Sequence, residues 1–124
     1  MQSCLIVDGS EVICKVAGRI LFESGYGVST AHSAKEAVAA IESQGMPGIL
    51  IVSAILEERP CEDLIRAVRA MPSGQYPAIL GAIVEANLGV MTRLKRAGAT
   101  GFIYKPFDRR LLLGWLAPYA SKAA

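Results

Sequence analysis

Residue types that commonly do chemistry are sparse in this chain. Cys4, Cys14 and Cys61 form an odd, scattered trio with no C-x-x-C spacing, and His32 is the single histidine. That set assembles no zinc site and is expected to consist of reduced thiols buried as small apolar groups. The polar residues of interest each close a short apolar run: Asp8-Gly9 after Cys4-Leu-Ile-Val7, Ser53-Ala54 after Ile49-Leu-Ile-Val52, and Lys105-Pro106 after Phe102-Ile-Tyr104. A further run closes on Ile83-Val84 with no polar group at all. Where folding brings these ends together, one carboxylate and one lysine are expected to make an ion pair, direct or through water. A divalent ion would gain too little ligand charge there to leave water.

The elements that must position these ends follow from periodicity. Cys4–Val7 and Ile49–Val52 are continuous apolar runs of the kind found in strands buried on both faces. Helical spacing recurs from Glu11 to Glu23, then after the capping box Ser33-Ala-Lys-Glu36, and from Glu62 to Arg69. It recurs again from Asn87 to Gly98, and from Asp108 until Pro118 ends or kinks the last helix. Strands are expected between them at 27–30, 77–84 and 100–104. Five strand–helix units in strict alternation imply an α/β fold with a parallel sheet covered on both faces, its sites at the carboxyl ends of the strands. At 124 residues the chain is expected to be one domain, 1–124, and its 52% hydrophobic content excludes disorder. No apolar run approaches ~18 residues and no basic leader precedes the first strand. Neither a membrane span nor a signal peptide is therefore expected, and the location is expected to be cytoplasmic.

The alternation, together with Ile6-Val-Asp-Gly-Ser10 and Gly98-Ala-Thr-Gly-Phe-Ile-Tyr-Lys-Pro-Phe107, resembles the response-regulator receiver domain from end to end. The resemblance implies a flavodoxin-like doubly wound sheet in the order 2-1-3-4-5. It also implies phosphoryl transfer from a histidine kinase to an aspartate, with magnesium held by acidic residues and a hydroxyl and a lysine on the phosphoryl oxygens. Set position by position against that pattern, Asp8 matches the first acidic residue, but Gly9 stands where the second carboxylate belongs. Ser53 stands in place of the acceptor aspartate and Ile83 in place of the phosphate-sensing hydroxyl; Lys105 alone matches outright. Without a carboxylate at position 53 no acyl phosphate forms. A degenerate pseudo-receiver is expected, neither an enzyme nor a holder of metal or cofactor.

Glu57 and Glu58 are expected to be solvated loop charges rather than substitutes for the acceptor, Glu11 to favour the dipole of the first helix, and Ser53 to lie in a cleft poorly open to protein kinases. At the family's aromatic switch position stands Phe102. Ile83, stiff at χ1, is expected to fill the space beside it and hold it in one rotamer.

Charge is unevenly distributed. Residues 1–90 carry six Lys/Arg against ten Asp/Glu, whereas residues 91–124 carry seven against Asp108 alone. In the receiver fold the latter stretch builds the face of helix 4, strand 5 and helix 5, through which relatives bind partners or dimerise. Arg93 and Arg96, one turn apart, are expected to share that face with Arg109, Arg110, Phe102 and Trp115. The expected role is a phosphorylation-independent protein-interaction module in bacterial two-component-type signalling, meeting a kinase, scaffold or regulator, or a second copy of itself. With the polar tail Ser121-Lys-Ala-Ala124, no output domain is expected. The competing expectation is an effector of cyclic di-GMP, since arginines suit phosphates and purine faces alike. Nucleic acid is a weaker candidate, because aromatics do not interleave the basic patch.

Overall fold

In a computed structural model, which describes residues 2–57 and 59–120, the apolar runs form strands β1 (Ser3–Val7), β2 (Gly27–Ala31), β3 (Ile49–Ser53), β4 (Ala78–Ile83) and β5 (Gly101–Tyr104). Between and after them come helices α1 (Glu11–Glu23), α2 (Ala34–Gln44), α3 (Cys61–Ala70), α4 (Leu88–Ala97) and α5 (Arg109–Leu116). The strands are parallel in the order β2-β1-β3-β4-β5, a flavodoxin-like arrangement whose chain order reverses beside β1.

Side chains alternate across each strand, so the continuous apolar runs feed two cores at once. Leu50 and Val52 of β3 pack with Leu5 and Val7 under α2, α3 and α4, against Leu64, Ile65, Val68 and Leu94. Ile49 and Ile51 pack with Cys4 and Ile6 under α1 and α5, against Leu21, Leu112 and Leu116. Each such aliphatic side chain contributes about 1.5–3 kcal/mol on full burial.

Side-chain caps fix four of the five helix starts, at Ser33, Asn87 and Asp108 as expected and at Ser10 besides, whereas α3 starts after Pro60 without one. Ser10 Oγ accepts from Ile13 N at 3.3 Å, Ser33 Oγ from Glu36 N at 3.1 Å, Asn87 Oδ1 from Val90 N at 3.1 Å and Asp108 Oδ1 from Leu111 N at 2.8 Å. Glu36 reaches back one residue further than a capping box requires, accepting from His32 N at 3.2 Å. Past Leu116 the last helix tightens into a 3₁₀ turn, Ala117–Tyr119, which carries Pro118.

Two glycines set where α4 can lie. A Cβ on Gly81 in β4 would meet Leu94 Cδ1 at 2.8 Å and Phe102 Cδ1 at 3.4 Å, so α4 approaches the sheet only where that side chain is missing. Gly98 then ends the helix at φ +122°, a conformation glycine adopts freely. Among the described residues no helix is long and apolar enough to cross a membrane.

Candidate functional site

The topology delivers Asp8, Ser53 and Lys105 to one point at the carboxyl ends of β1, β3 and β5. Lys105 Nζ donates to Asp8 Oδ2 at 2.9 Å and to Ser53 Oγ at 3.1 Å. Ser53 Oγ also accepts from Ile55 N at 3.2 Å and donates to Ile55 O at 3.0 Å, which uses a hydroxyl's one proton and both lone pairs. The other Asp8 oxygen, Oδ1, accepts from Ser10 N at 2.9 Å. Asp8 is 5% and Ser53 2% exposed, so these bonds stand largely away from water, where an unpaired charge is costly. Beneath them the Cys14 thiol donates to Asp8 O at 3.4 Å, and burial, aided by the Asp8 charge, raises its pKa. The set is closed on itself.

These residues do not fit the magnesium ion of the receiver pattern. The one carboxylate, Asp8, is already taken by an ammonium and a backbone N–H, and Gly9 and Ser53 supply no further anionic oxygen. Among the described residues no three His, Cys, Asp or Glu side chains are grouped to hold a metal. Room is not the obstacle: a Cβ at Gly9 would find nothing nearer than His32 O at 4.0 Å. Glu57 lines the open cleft above the triad, about 470 Å³ and shared with Asp8, His32 and Lys105, but hydrogen-bonds to neither Ser53 nor Lys105. Glu58 lies outside the described residues. Glu11 stands in the first turn of α1, 3.3 Å from Lys15.

At the switch position Ile83 is buried, at 4% exposed. It lines a cavity of about 200 Å³ together with Ala54, Val90 and Leu94, bounded above by Glu62, Glu85, Asn87 and Arg93. Phe102 lies outside that lining, half-buried beside Gly81 and packed against the α2–α3–α4 core.

The four arginines do not form one free face. Arg93 turns to α3 and meets Glu62 at 3.2 Å, because its position on α4 points along the α3–α4 seam. Arg109 opens α5 beside the end of α1 and meets Glu23 at 3.0 Å, and its hydrogen bond holds the Glu23 carboxyl below the usual carboxylate range. Arg96 and Arg110 are exposed and, among the described residues, have no ion-pair partner; Lys122 lies outside them. Half-buried Trp115 packs against Tyr104 of β5, ring centroids 5.9 Å apart and planes tilted 58°. Leu112 and Leu116 enter the core, whereas Leu111 remains 39% exposed.

Two features escaped the sequence reading. Arg69 is a hub at the opposite end of the sheet, its guanidinium donating to the carbonyls of Gly74, Pro77 and Gly98. Ile55 and Val84, at 73% and 62% exposed, line the 200 Å³ cavity, and Leu88, 81% exposed, follows the Asn87 that also lines it. For Ile55 and Val84 the legible sign was an apolar residue one or two places beyond a strand end, where a polar one is usual.

With that geometry in hand, the comparisons are consistent. The model of the response regulator receiver domain matches residues 4–117. No curated protein matches the chain by sequence. Among solved structures it is similar to the chemotaxis protein CheY4 of Vibrio cholerae, at 28% identity and TM-score 0.92, covering 97% of this chain and 99% of that one. A CheY-like receiver domain protein from Methanospirillum hungatei aligns at 25% identity and TM-score 0.85, covering 95% and 92% of the two chains. A two-component response regulator from Clostridium difficile shares the fold, at 18% identity and TM-score 0.87 over 96% and 95%. Topology, the Asp8–Lys105 geometry and the match over most of its length together place the chain in the response regulator receiver family.

Proposed function

We propose that this receiver works without phosphorylation, as a protein-interaction module of two-component-type signalling. The observation that carries the reading is the closed triad. Lys105, which in the receiver pattern meets the phosphoryl group, spends its bonds on Asp8 and on the serine that replaces the acceptor. No carboxylate stands at position 53 to form an acyl phosphate, and the donor set does not suit magnesium. Partner binding is assigned to the face of α4, β5 and α5, which contributes Arg96 and Arg110, the Tyr104–Trp115 pair, Phe102 and Leu111. Exposed arginines without carboxylate partners and half-buried aromatics from these elements suit an acidic protein surface. The dinucleotide alternative rested on four convergent arginines, which the pairing of Arg93 and Arg109 divides; nothing favours it further.

The test is amide NMR of the protein with magnesium and beryllofluoride. The spectrum is expected to remain unchanged, and site-specific shifts at Ser53 and Lys105 would overturn the reading. The doubly substituted Gly9→Asp/Ser53→Asp protein provides the positive control, since position 9 has the space for a carboxylate.

A further inference from the structure

The cavity under α4 adjoins the triad, whose Ser53 and Lys105 form part of its lining, but the triad's own bonds leave it unfilled. Ala54, Ile83, Val90 and Leu94 supply an apolar part of the lining, and its volume of about 200 Å³ suits one large side chain. At its mouth Ile55 and Val84 line the opening while remaining mostly exposed, and Leu88, next to the Asn87 that also lines it, is more exposed still. A small molecule seated in the hole would leave those three side chains in water. A chain laid across the mouth would cover them and fill the hole together.

The charges state what kind of chain. Of the ionic groups lining the cavity and the adjoining cleft, Arg93 is paired with Glu62 and Lys105 with Asp8. Glu57 and Glu85 have no ion-pair partner among the described residues, and both are exposed. Arg59 lies in the same loop as Glu57 but lines neither space. The mouth is therefore apolar with an acidic rim, the opposite sign from the face of α4, β5 and α5.

We infer that the carboxyl edge of β3 and β4 is a second docking surface, which takes a basic, amphipathic protein segment that inserts one large apolar side chain between Ala54, Ile83, Val90 and Leu94. The inference stands apart from the proposed function, because it uses a different surface and a partner of opposite charge. In a receiver whose phosphorylation site is closed, such an insertion would act directly on the seat of α4. Buried anchors in preformed pockets dominate interface energetics, whereas rim charges mainly set selectivity.

The test is selection of random 16-residue peptides, displayed on phage, against the immobilised full chain. Enriched peptides are expected to carry Trp, Phe or Leu flanked by Lys or Arg and to shift the amides of Ile55, Val84 and Val90. Ala54→Leu, which fills the cavity, should weaken them at least about tenfold. Val84→Asp, a change at an exposed position that does not threaten the fold, should do the same, and Glu57→Lys/Glu85→Lys should weaken them by a smaller factor. Enrichment of acidic peptides alone, released by Arg96→Glu/Arg110→Glu and leaving the amides of Ile55, Val84 and Val90 unmoved, would support the proposed function and overturn this inference. So would a selection that enriches nothing, or basic peptides that bind the Ala54→Leu protein equally well.

Discussion

Lys105 and Arg69 each carry a positive charge into the protein, at opposite ends of the sheet and on different terms. Lys105 meets side chains, Asp8 and Ser53. Arg69, near the end of α3, meets chiefly backbone: Nε and Nη2 donate to Gly98 O at 3.0 and 2.8 Å, and Nη1 donates to Gly74 O and Pro77 O at 2.9 Å each. It also meets the side chain of Thr100, Oγ1 at 3.2 Å, which in turn accepts from Ile79 N at 2.9 Å. Burial lowers the Arg69 pKa, and among the described residues no carboxylate pairs with it. The difference separates a site from a scaffold. A cation answered by side chains can change its role when two residues change. One answered by carbonyls from two loops is tied to the chain path itself.

The sharpest break of that contrast is Arg69→Met. It leaves the carbonyls of Gly74, Pro77 and Gly98 without this donor, and urea unfolding should report a loss of about 4 kcal/mol. A loss below about 1 kcal/mol would mean that water serves those carbonyls equally well, and Arg69 would be no clamp. Lys105→Met should cost about 3 kcal/mol, because it strands the buried Asp8 charge. Asp8→Asn in the same chain should recover most of that. A double-mutant cycle tests this, and additive losses would show that the pair is not the unit.

The smallest effect, absent at neutral pH, concerns the thiols. Burial pushes Cys4 and Cys61 up to about 12, above an ordinary value of 9.0. The unfolded thiol ionises first, so the contribution is complete below pH 9 and is lost as pH rises from there towards about 12. Thermal melts should therefore fall in that window, and less steeply for Cys4→Ala/Cys61→Ala. Equal slopes in both proteins would remove the thiols from the account.

Much of this was written in the sequence. Runs such as Ile49-Leu-Ile-Val52 read directly as strands, and Ser33, Asn87 and Asp108 announced their helices, because caps and periodicity are local signals. The meeting of Asp8 with Lys105 followed once the strand order was known. The orientation of arginines on helices was less legible. Arg93 and Arg96 have similar sequence surroundings, but only the packing of α3 against α4 decides which of them finds Glu62. The cavity was illegible for the same reason. Its lining joins Ala54 from beyond β3, Ile83 of β4 and Val90 of α4, whose meeting no local pattern announces. Arg69 was hidden because its partners are carbonyls, which every residue possesses.

All three native cysteines are buried, so a reagent for thiols meets little on the described surface. A single cysteine introduced at Val84 or at Arg110 would then be the preferred point of attachment, marking either the acidic mouth or the basic face without altering the native thiols. A photoreactive label placed in turn at these two positions would make the molecule a record of which side a partner touched.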